Sequence, residues 1–178
     1  MDNIFGRPGP LEIDLGCGKG RFLLSRAGEK PDTNFIGIDR LLVRLRKVDR
    51  KITAAGIENV RLLRIEASYA VKFLIPRETV NVYHILFPDP WPKRRHHRRR
   101  LFNREFMDSI HVSLRPGGMV HTATDYLPYL EHIRLLLEKD PRFRISAVPA
   151  GMDSNPTDFE IMFAAQNKQA NRLCFEKT

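Results

Sequence analysis

Cysteine is scarce in this chain of 178 residues, which contains only Cys17 and Cys174. The two lie near opposite ends of the chain, and neither belongs to a series of Cys and His at the spacing of metal ligands. A disulfide framework and a zinc module are therefore disfavoured, and we expect no metal site.

Long apolar runs are also missing. No stretch reaches the roughly 18 uncharged apolar residues that a membrane-spanning helix requires. The first ten residues, MDNIFGRPGP, lack the basic and then apolar order of a signal peptide. We expect a soluble, cytoplasmic protein that has no membrane partner.

Acidic residues are outnumbered, with 21 Asp and Glu against 30 Lys and Arg, and the formal net charge is +9. The excess is concentrated in residues 93–100, which read KRRHHRRR. Because neighbouring cations repel one another, such a run favours a polyanionic partner. A solvated basic face on an ordinary enzyme is the alternative.

The rest of the composition is that of a globular protein, with 42% hydrophobic and 29% charged residues. A chain of this length has room for one hydrophobic core. We expect a single domain over residues 1–178, in which residues 1–10 form a short N-terminal extension.

From Leu11 onward, short apolar runs that end in Gly or an acid alternate with longer stretches of helical period. This alternation is typical of βαβ units and predicts an α/β fold with a parallel, doubly wound sheet. The predicted strands cover residues 11–15, 34–39, 60–66, 80–87 and 118–124, and two closing strands cover 142–148 and 172–177.

Two of the predicted helices have a clear apolar stripe, one within residues 40–55 and one over residues 128–138. The first also carries cations at the same helical spacing, one residue before each apolar position. This basic stripe consists of Arg40, Arg44, Lys47 and Lys51.

A glycine-rich loop follows the first predicted strand, where Asp14 precedes Gly16, Gly18 and Gly20. Glycines at alternate positions let the backbone approach a ligand that side chains would exclude. The G-x-G-x-G spacing differs from the G-x-G-x-x-G of dinucleotide sites, and Asp14 would repel a pyrophosphate but attract a cationic ligand.

Polar residues also end the next two predicted strands. Asp39 comes 19 residues after Gly20, where a carboxylate can bind both hydroxyls of a ribose. Glu66 and Ala67 close the third strand at the same sheet edge, within reach of an adenine. The three signals together favour a site for S-adenosylmethionine over a glycine loop that is only a tight turn.

Residues 87–93, at the end of the fourth predicted strand, read FPDPWPK. Prolines on both sides of Asp89 restrict the backbone, so that its carboxylate and Trp91 are held in place. A proline-rich loop around a buried Trp is the alternative. The basic run that follows places phosphate donors beside this loop. These donors are Arg94, Arg95, Arg98, Arg99 and Arg100.

Two further acids suit the recognition of guanine, whose N1–H and N2–H lie side by side and can both donate to one carboxylate. Asp125 follows the fifth predicted strand, and Glu160 ends the sequence TDFE at residues 157–160. The alternatives are that Asp125 caps a helix and that Glu160 is an ordinary loop acid.

Together these motifs resemble those of the bacterial tRNA (guanine-N7)-methyltransferases, which are class I S-adenosylmethionine-dependent enzymes. The resemblance covers about residues 5 to 175 and depends most on the long FPDPWPK motif, with support from GCGKG, FIGID, TD and TDFE. It implies a Rossmann-like fold whose mostly parallel sheet has an antiparallel strand near the C-terminus. It also implies methyl transfer to N7 of guanine 46 in the variable loop of tRNA.

The resemblance assigns roles to individual residues. Asp14, Asp39, Glu66 and Asp89 would contact the cofactor, together with the loop glycines and Ala67, and Asp89 would be the catalytic residue. The residues that would contact the substrate guanosine or its surroundings are Lys93, Asp125, Thr157 and Glu160.

The chain departs from the family pattern in three places. Only ten residues precede Leu11, so we expect an N-terminal tRNA-binding arm to be absent or nearly so. Asp14 stands where the family commonly has Glu, and Met162 stands where a basic residue is expected. None of these departures touches FPDPWPK.

Two other functions stay open at this point. Pro-Asp-Pro-Trp resembles the Asn-Pro-Pro-aromatic loop of exocyclic-amine methyltransferases, although the second proline is not adjacent to the first here. The chain could also be a non-catalytic RNA-binding subunit with a vestigial cofactor pocket. The sequence does not distinguish a monomer from a homodimer.

Overall fold

The computed structural model describes residues 2–149, 151–152, 155–166 and 168–178. Within these residues one sheet contains seven strands. The strands are β1 (Leu11–Leu15), β2 (Asn34–Asp39), β3 (Val60–Arg64), β4 (Val80–Leu86), β5 (Leu114–Thr124), β6 (Phe143–Ser146) and β7 (Asn171–Lys177).

Helices connect the strands and lie on both faces of the sheet. They are α1 (Asp2–Phe5), α2 (Arg21–Glu29), α3 (Leu42–Ala55), α4 (Ala67–Phe73), α5 (Arg104–Ser113), α6 (Leu127–Glu138) and α7 (Asp158–Ala164), with a 3-10 helix at Arg94–Arg99. No helix among the described residues is both long and apolar enough to cross a membrane.

The strand order is β3-β2-β1-β4-β5-β7-β6. The first five strands pair in parallel, and β7 pairs antiparallel with both β5 and β6. This arrangement confirms the predicted fold, including the antiparallel strand near the C-terminus. The chain order reverses between β1 and β4, so a crevice opens there at the carboxyl ends of the strands, where ligands bind in such sheets.

Successive side chains of β1 point to opposite faces of the sheet, and their surroundings identify each face. Leu11, Ile13 and Leu15 belong to the larger core, which also contains buried side chains of α4, α5 and α6. Glu12 and Asp14 therefore point to the opposite face, on which α2 and α3 pack their own smaller apolar cluster.

The predicted strand limits hold closely except at β5, which begins at Leu114 rather than at residue 118. Its first part is irregular, because Gly117 has a φ of 70° and the register with β4 shifts between Val80 and Val82. The regular alternation on which the prediction depended starts only after this irregularity.

Candidate functional site

A cavity of about 410 Å³ opens at the carboxyl ends of β1 and β4. Its volume is in the range of small-molecule sites. The walls come from the glycine loop, from α2 and α3 and from the segment that contains α7. The residues that line the cavity include Asp14, Gly16, Gly18, Arg44, Thr157 and Phe159.

The glycine loop is held in a conformation that requires glycine. Gly16, Gly18 and Gly20 have φ angles of 84°, 56° and 76°, in the left-handed region. At Gly20 a Cβ would also lie 2.7 Å from a methyl carbon of Val48, so the loop packs directly on α3. The backbone is therefore preformed for close approach to a ligand.

Asp14 and Asp39 flank this loop. Asp39 accepts hydrogen bonds from the backbone N–H groups of Gly18, at 3.2 Å, and Leu41, at 2.8 Å, and its carboxylate lies 3.5 Å from the guanidinium of Arg44. Asp14 is only 4% exposed, and burial together with the charge of Asp39 raises its pKa to about 7. A bound cation would favour the ionised form of Asp14.

Glu66 is exposed and caps the N-terminus of α4. Its carboxylate accepts from the backbone N–H groups of Ser68, at 3.0 Å, and Tyr69, at 2.8 Å. Partial burial acts to raise its pKa, but a bond from the Ser68 hydroxyl and these two backbone bonds outweigh burial and lower it. Neither Glu66 nor Ala67 lines the main cavity, and Glu66 instead borders a second one of about 230 Å³ between α4 and α5.

The FPDPWPK loop stores backbone strain on both sides of Asp89. Phe87 and Trp91 have φ angles of 53° and 42°, which L-residues other than Asn and Asp rarely adopt. Each costs on the order of 1–3 kcal/mol, so the surrounding structure must impose it. Phe87 N–H donates to the carbonyl of Ala123 at 2.8 Å, which ties the loop to β5. Asp89 itself is exposed.

Arg100 fastens the other side of the loop and differs from its prediction as a phosphate donor. It is 4% exposed, its Nε donates to the carbonyl of Pro90 at 2.9 Å, and its guanidinium lies 4.9 Å from the ring centroid of Tyr129. Because this cation is buried in the loop's support, we assign it to the loop and not to RNA. The other predicted phosphate donors are exposed, namely Arg94, Arg95, Arg98 and Arg99, as is Lys93.

Thr157 and Glu160 form a capping box at the start of α7. The Thr157 hydroxyl accepts from Glu160 N–H at 3.1 Å, and the Glu160 carboxylate accepts from Thr157 N–H at 2.7 Å. The alternative that Glu160 is a loop acid is therefore wrong. The T-x-x-E spacing of TDFE is the local signal for such a box and for a helix after it.

Asp125 does not cap α6. The N-cap position is Tyr126, and its N–H is bonded instead by the Thr124 hydroxyl at 3.2 Å. The capping alternative for Asp125 is wrong as well. Its carboxylate is exposed at the carboxyl end of β5.

The cavity thus unites Asp14 and the glycine loop with Thr157, whereas Asp39, Asp89, Lys93 and Asp125 lie outside its lining. Aromatic contacts join α7 to the FPDPWPK loop, with ring centroids 5.7 Å apart for Phe87 and Phe159. Phe159 is a lining residue to which no ligand role was assigned from the sequence, and Arg44 of the basic stripe lines the cavity as well. No group of acids, His and Cys suited to a metal occurs among the described residues.

A family model described as "Putative methyltransferase" matches residues 8–173. A tRNA (guanine-N(7)-)-methyltransferase of Halorhodospira halophila is 34% identical over 180 residues, which is 98% of this chain and 78% of the relative. One of Nocardia farcinica is 38% identical over 173 residues, covering 89% of this chain and 64% of the relative. The chain thus spans less than two thirds of the latter's length.

Among solved structures, the 16S rRNA methyltransferase KamB is similar with a TM-score of 0.73. The match covers 99% of this chain and 92% of that one at 16% sequence identity. At this identity the likeness shows the fold, which is that of the class I methyltransferases.

Proposed function

Because the chain belongs to the tRNA (guanine-N7)-methyltransferase family, we propose that it transfers a methyl group from S-adenosylmethionine to N7 of a guanine in tRNA. The observation that carries the proposal is Asp14, a buried carboxyl group in a glycine-lined cavity whose pKa is raised to about 7. The ionised form of such a group is stabilised by a cationic ligand and would repel the phosphates of a nucleotide. The finer assignment, guanine 46 of the variable loop, belongs to the same proposal.

The residues present fit this cofactor. Asp14 would face its positive charge, and the left-handed glycines would let the backbone lie against it. Each carboxylate oxygen of Asp39 accepts one backbone bond and has a lone pair left for a ribose hydroxyl. Glu66 and Ala67 would lie toward the adenine. When bound, S-adenosylmethionine supplies an electrophilic methyl group on a sulfonium centre.

Guanine N7 carries a free lone pair and no proton, so its methylation removes no proton and requires no general base. The protein therefore has to orient the base and keep water out. Asp89, held between two strained residues, would stabilise the positive charge that develops on the guanine. We propose Asp89 as the catalytic residue in this electrostatic sense.

Exposed cations suit the binding of tRNA. The four exposed arginines of the basic run adjoin the Asp89 loop, and the basic stripe is exposed just before α3 and along it. Arg44 of that stripe also lines the cavity, so the stripe leads from the cavity to the surface. We propose that both groups bind tRNA phosphates, and that the enzyme works in the cytoplasm where tRNA is found.

The substrate guanosine would meet Lys93, Asp125, Thr157 and Glu160. Among these, Asp125 is the acid whose exposure best suits pairing with guanine N1–H and N2–H. Both oxygens of Glu160 already bond within the protein, one to Thr157 and one to Arg172. Glu160 would therefore place Thr157 and contact the guanosine only through its remaining lone pairs.

A methyl-transfer assay on bulk tRNA, followed by nucleoside analysis, tests the proposal. We expect a 7-methylguanosine peak that depends on S-adenosylmethionine. A methylated exocyclic amine would support the other enzyme class. Calorimetry that detects tRNA binding but no cofactor binding would support a non-catalytic RNA-binding subunit.

A further inference from the structure

Four polar side chains form a line on the face of the sheet that carries Asp14. They are Glu12 on β1, His84 on β4, His121 on β5 and Arg172 on β7. His84 and His121 are direct register partners, and the other two lie two residues from the register partners of these histidines. Since side chains alternate along a strand, all four point to the same face.

Hydrogen bonds connect these side chains into a relay that ends on α7. His84 Nε2 lies 2.8 Å from Glu12 Oε2, the two Nδ1 atoms of His84 and His121 are 3.3 Å apart, and His121 Nε2 lies 2.8 Å from Arg172 Nη1. Arg172 Nη2 then donates to Oε1 of Glu160. The relay thus joins Glu12, deep in the sheet, to the capping box of α7.

Arg172 at one end and the Glu12 carboxylate at the other determine which ring nitrogen of each histidine carries a proton. Arg172 can only donate, so Nε2 of His121 accepts and Nδ1 carries the proton. That proton is donated to Nδ1 of His84, whose Nε2–H donates to the Glu12 carboxylate. Both rings are neutral in this arrangement. Burial lowers the pKa of both histidines, to about 2 for His121, in agreement with neutral rings.

The two histidines at the centre of the relay are shielded from water. His84 is 1% exposed and His121 0%, and the ring of Phe22 packs edge-on against His84 with centroids 4.7 Å apart. At the far end, Arg26 and Lys30 both bond the Glu12 carboxylate. Buried polar atoms are tolerated only when they are bonded, so removing the His121 ring would take a partner from Nδ1 of His84 and from Nη1 of Arg172.

The other contacts of α7 are weaker or less directional. The ion pair between Arg21 and Asp158 has side chains that are 54% and 39% exposed, and pairs at the surface contribute little. Phe163 packs on Phe87 with ring centroids 5.5 Å apart, which is an apolar contact without a fixed direction. The part-buried bond from Arg172 to Glu160 is therefore the directional contact that ties the capping box itself to the sheet. Asn155, two residues before the box, bonds Ser25 and Glu29 of α2 instead.

We propose that His84 and His121 are positioning residues, which orient Arg172 so that α7 stays fixed against the sheet and Thr157 stays in the cavity wall. The importance of this placement for methyl transfer rests on the proposed function. The fixing of α7 itself does not, and it can be measured without any substrate.

Two amide substitutions at His121 separate the two bonds of its ring. His121→Gln places an oxygen near the original Nε2 and keeps the acceptor for Arg172. His121→Asn places an NH2 near the original Nδ1 and keeps only the donor to His84. Each variant loses one hydrogen bond of the His121 ring, and the two differ in whether the relay still reaches α7.

The test measures the hydrogen–deuterium exchange rates of the backbone amides of residues 161–165. We expect His121→Asn to speed their exchange at least tenfold while the amides of α6 keep the wild-type rate, and His121→Gln to leave both helices unchanged. Equal α7 exchange in the two variants, or equal acceleration of α6 and α7, would overturn the proposal, because His121 would then serve general stability only.

A third variant, Arg172→Lys, tests the relay even if the proteins with His121→Gln and His121→Asn do not fold. In Arg172→Lys, one ammonium replaces the two guanidinium nitrogens that reach His121 and Glu160 separately. Faster α7 exchange with unchanged α6 is again expected, and wild-type exchange in α7 would overturn the relay.

Activity gives a separate readout. We expect His121→Asn to raise KM for tRNA at least fivefold and His121→Gln to keep the wild-type KM. If the wild-type protein makes no 7-methylguanosine, the proposed function fails, but the exchange experiment still decides whether the relay fixes α7.

Discussion

Asp14 and Asp39 lie on neighbouring parallel strands and flank one glycine loop, yet their carboxyl groups have different surroundings. Asp39 is bonded by Gly18 and Leu41, whereas burial and the charge of Asp39 raise the pKa of Asp14 to about 7. The Asp39 carboxylate is thus already hydrogen-bonded within the protein. The Asp14 carboxyl group is the one whose ionised form a bound cation would stabilise most.

This contrast predicts that S-adenosylmethionine binds more tightly as the pH rises. Below pH 7 Asp14 is increasingly protonated and neutral, so affinity should fall about tenfold between pH 8 and pH 6. Calorimetry at the two pH values measures the change. Asp14→Asn is the control and should bind weakly with no pH dependence over this range, and an equal slope in this variant would exclude Asp14 as the source.

Asp39→Ala should weaken cofactor binding by about 1–3 kcal/mol, because a ribose hydroxyl pair would lose its charged acceptor. The substitution also frees Gly18 and Leu41, so Asp39→Asn, which keeps one acceptor oxygen, should lose less. Calorimetry with S-adenosylmethionine compares the three proteins. Unchanged affinity in Asp39→Ala would remove the ribose role, and tRNA affinity is expected to stay constant.

Replacing either Arg94 or Arg98 singly by Ser should flatten the salt dependence of tRNA binding, by roughly 0.7 log units for the one lost contact to a single-strand phosphate. Both residues are exposed. The matched control is Arg100→Ser, which removes the same charge from a buried position. It should lower stability but keep the slope, and an identical loss of slope in the control would show that only net charge matters.

Asp89→Asn keeps the shape of the side chain and removes its charge. If the carboxylate stabilises charge that develops on the guanine, the single-turnover rate should fall about 10- to 1000-fold while tRNA affinity changes little. Because no proton is removed, the remaining rate should gain no new pH dependence between about pH 6 and pH 9. A lost basic limb would indicate proton abstraction and support the exocyclic-amine reaction.

The buried histidines should make stability depend on pH. Their pKa values are lowered in the folded state, so below about pH 6.5 the unfolded chain binds protons that the folded chain does not, and stability falls with the pH. Asp14 acts in the opposite direction between about pH 4 and pH 7, since its pKa is raised. The comparison therefore has to be made between the wild type and His121→Gln.

Urea unfolding from pH 7.5 down to pH 5 gives this comparison. Well below pH 6.5, the slope of the unfolding free energy should be smaller in His121→Gln by about 1.4 kcal/mol per pH unit, which corresponds to one proton. Identical slopes would mean that His121 takes up its proton in the folded state as readily as in the unfolded chain.

The sequence predicts the existence of all five parallel strands, because each is a short apolar run, but it misses the start of β5 at Leu114. The first helical turn after residue 157 is also encoded locally, in the T-x-x-E spacing. Arg100 shows the limit of such signals, since nothing within the basic run distinguishes it from Arg98. Its burial depends on Tyr129, which is brought beside it only by the fold.

The relay could not be predicted for the same reason. Glu12, His84, His121 and Arg172 are separated by long stretches of chain, and each one alone resembles an ordinary polar residue in a strand. Only the strand order and register place them side by side. Interactions between strands that are distant in sequence carry no local pattern.

The position of β7 between β5 and β6 also sets an order for events during synthesis. Residues 11–124 contain every strand of the parallel part of the sheet, so Asp14, the glycine loop and Asp39 can assemble while later residues are still inside the ribosome. In the described sheet β6 pairs only with β7, and Arg172 lies on β7. A nascent chain can therefore bring Asp14, the glycine loop and Asp39 together before the α7 part of the cavity wall acquires its anchor.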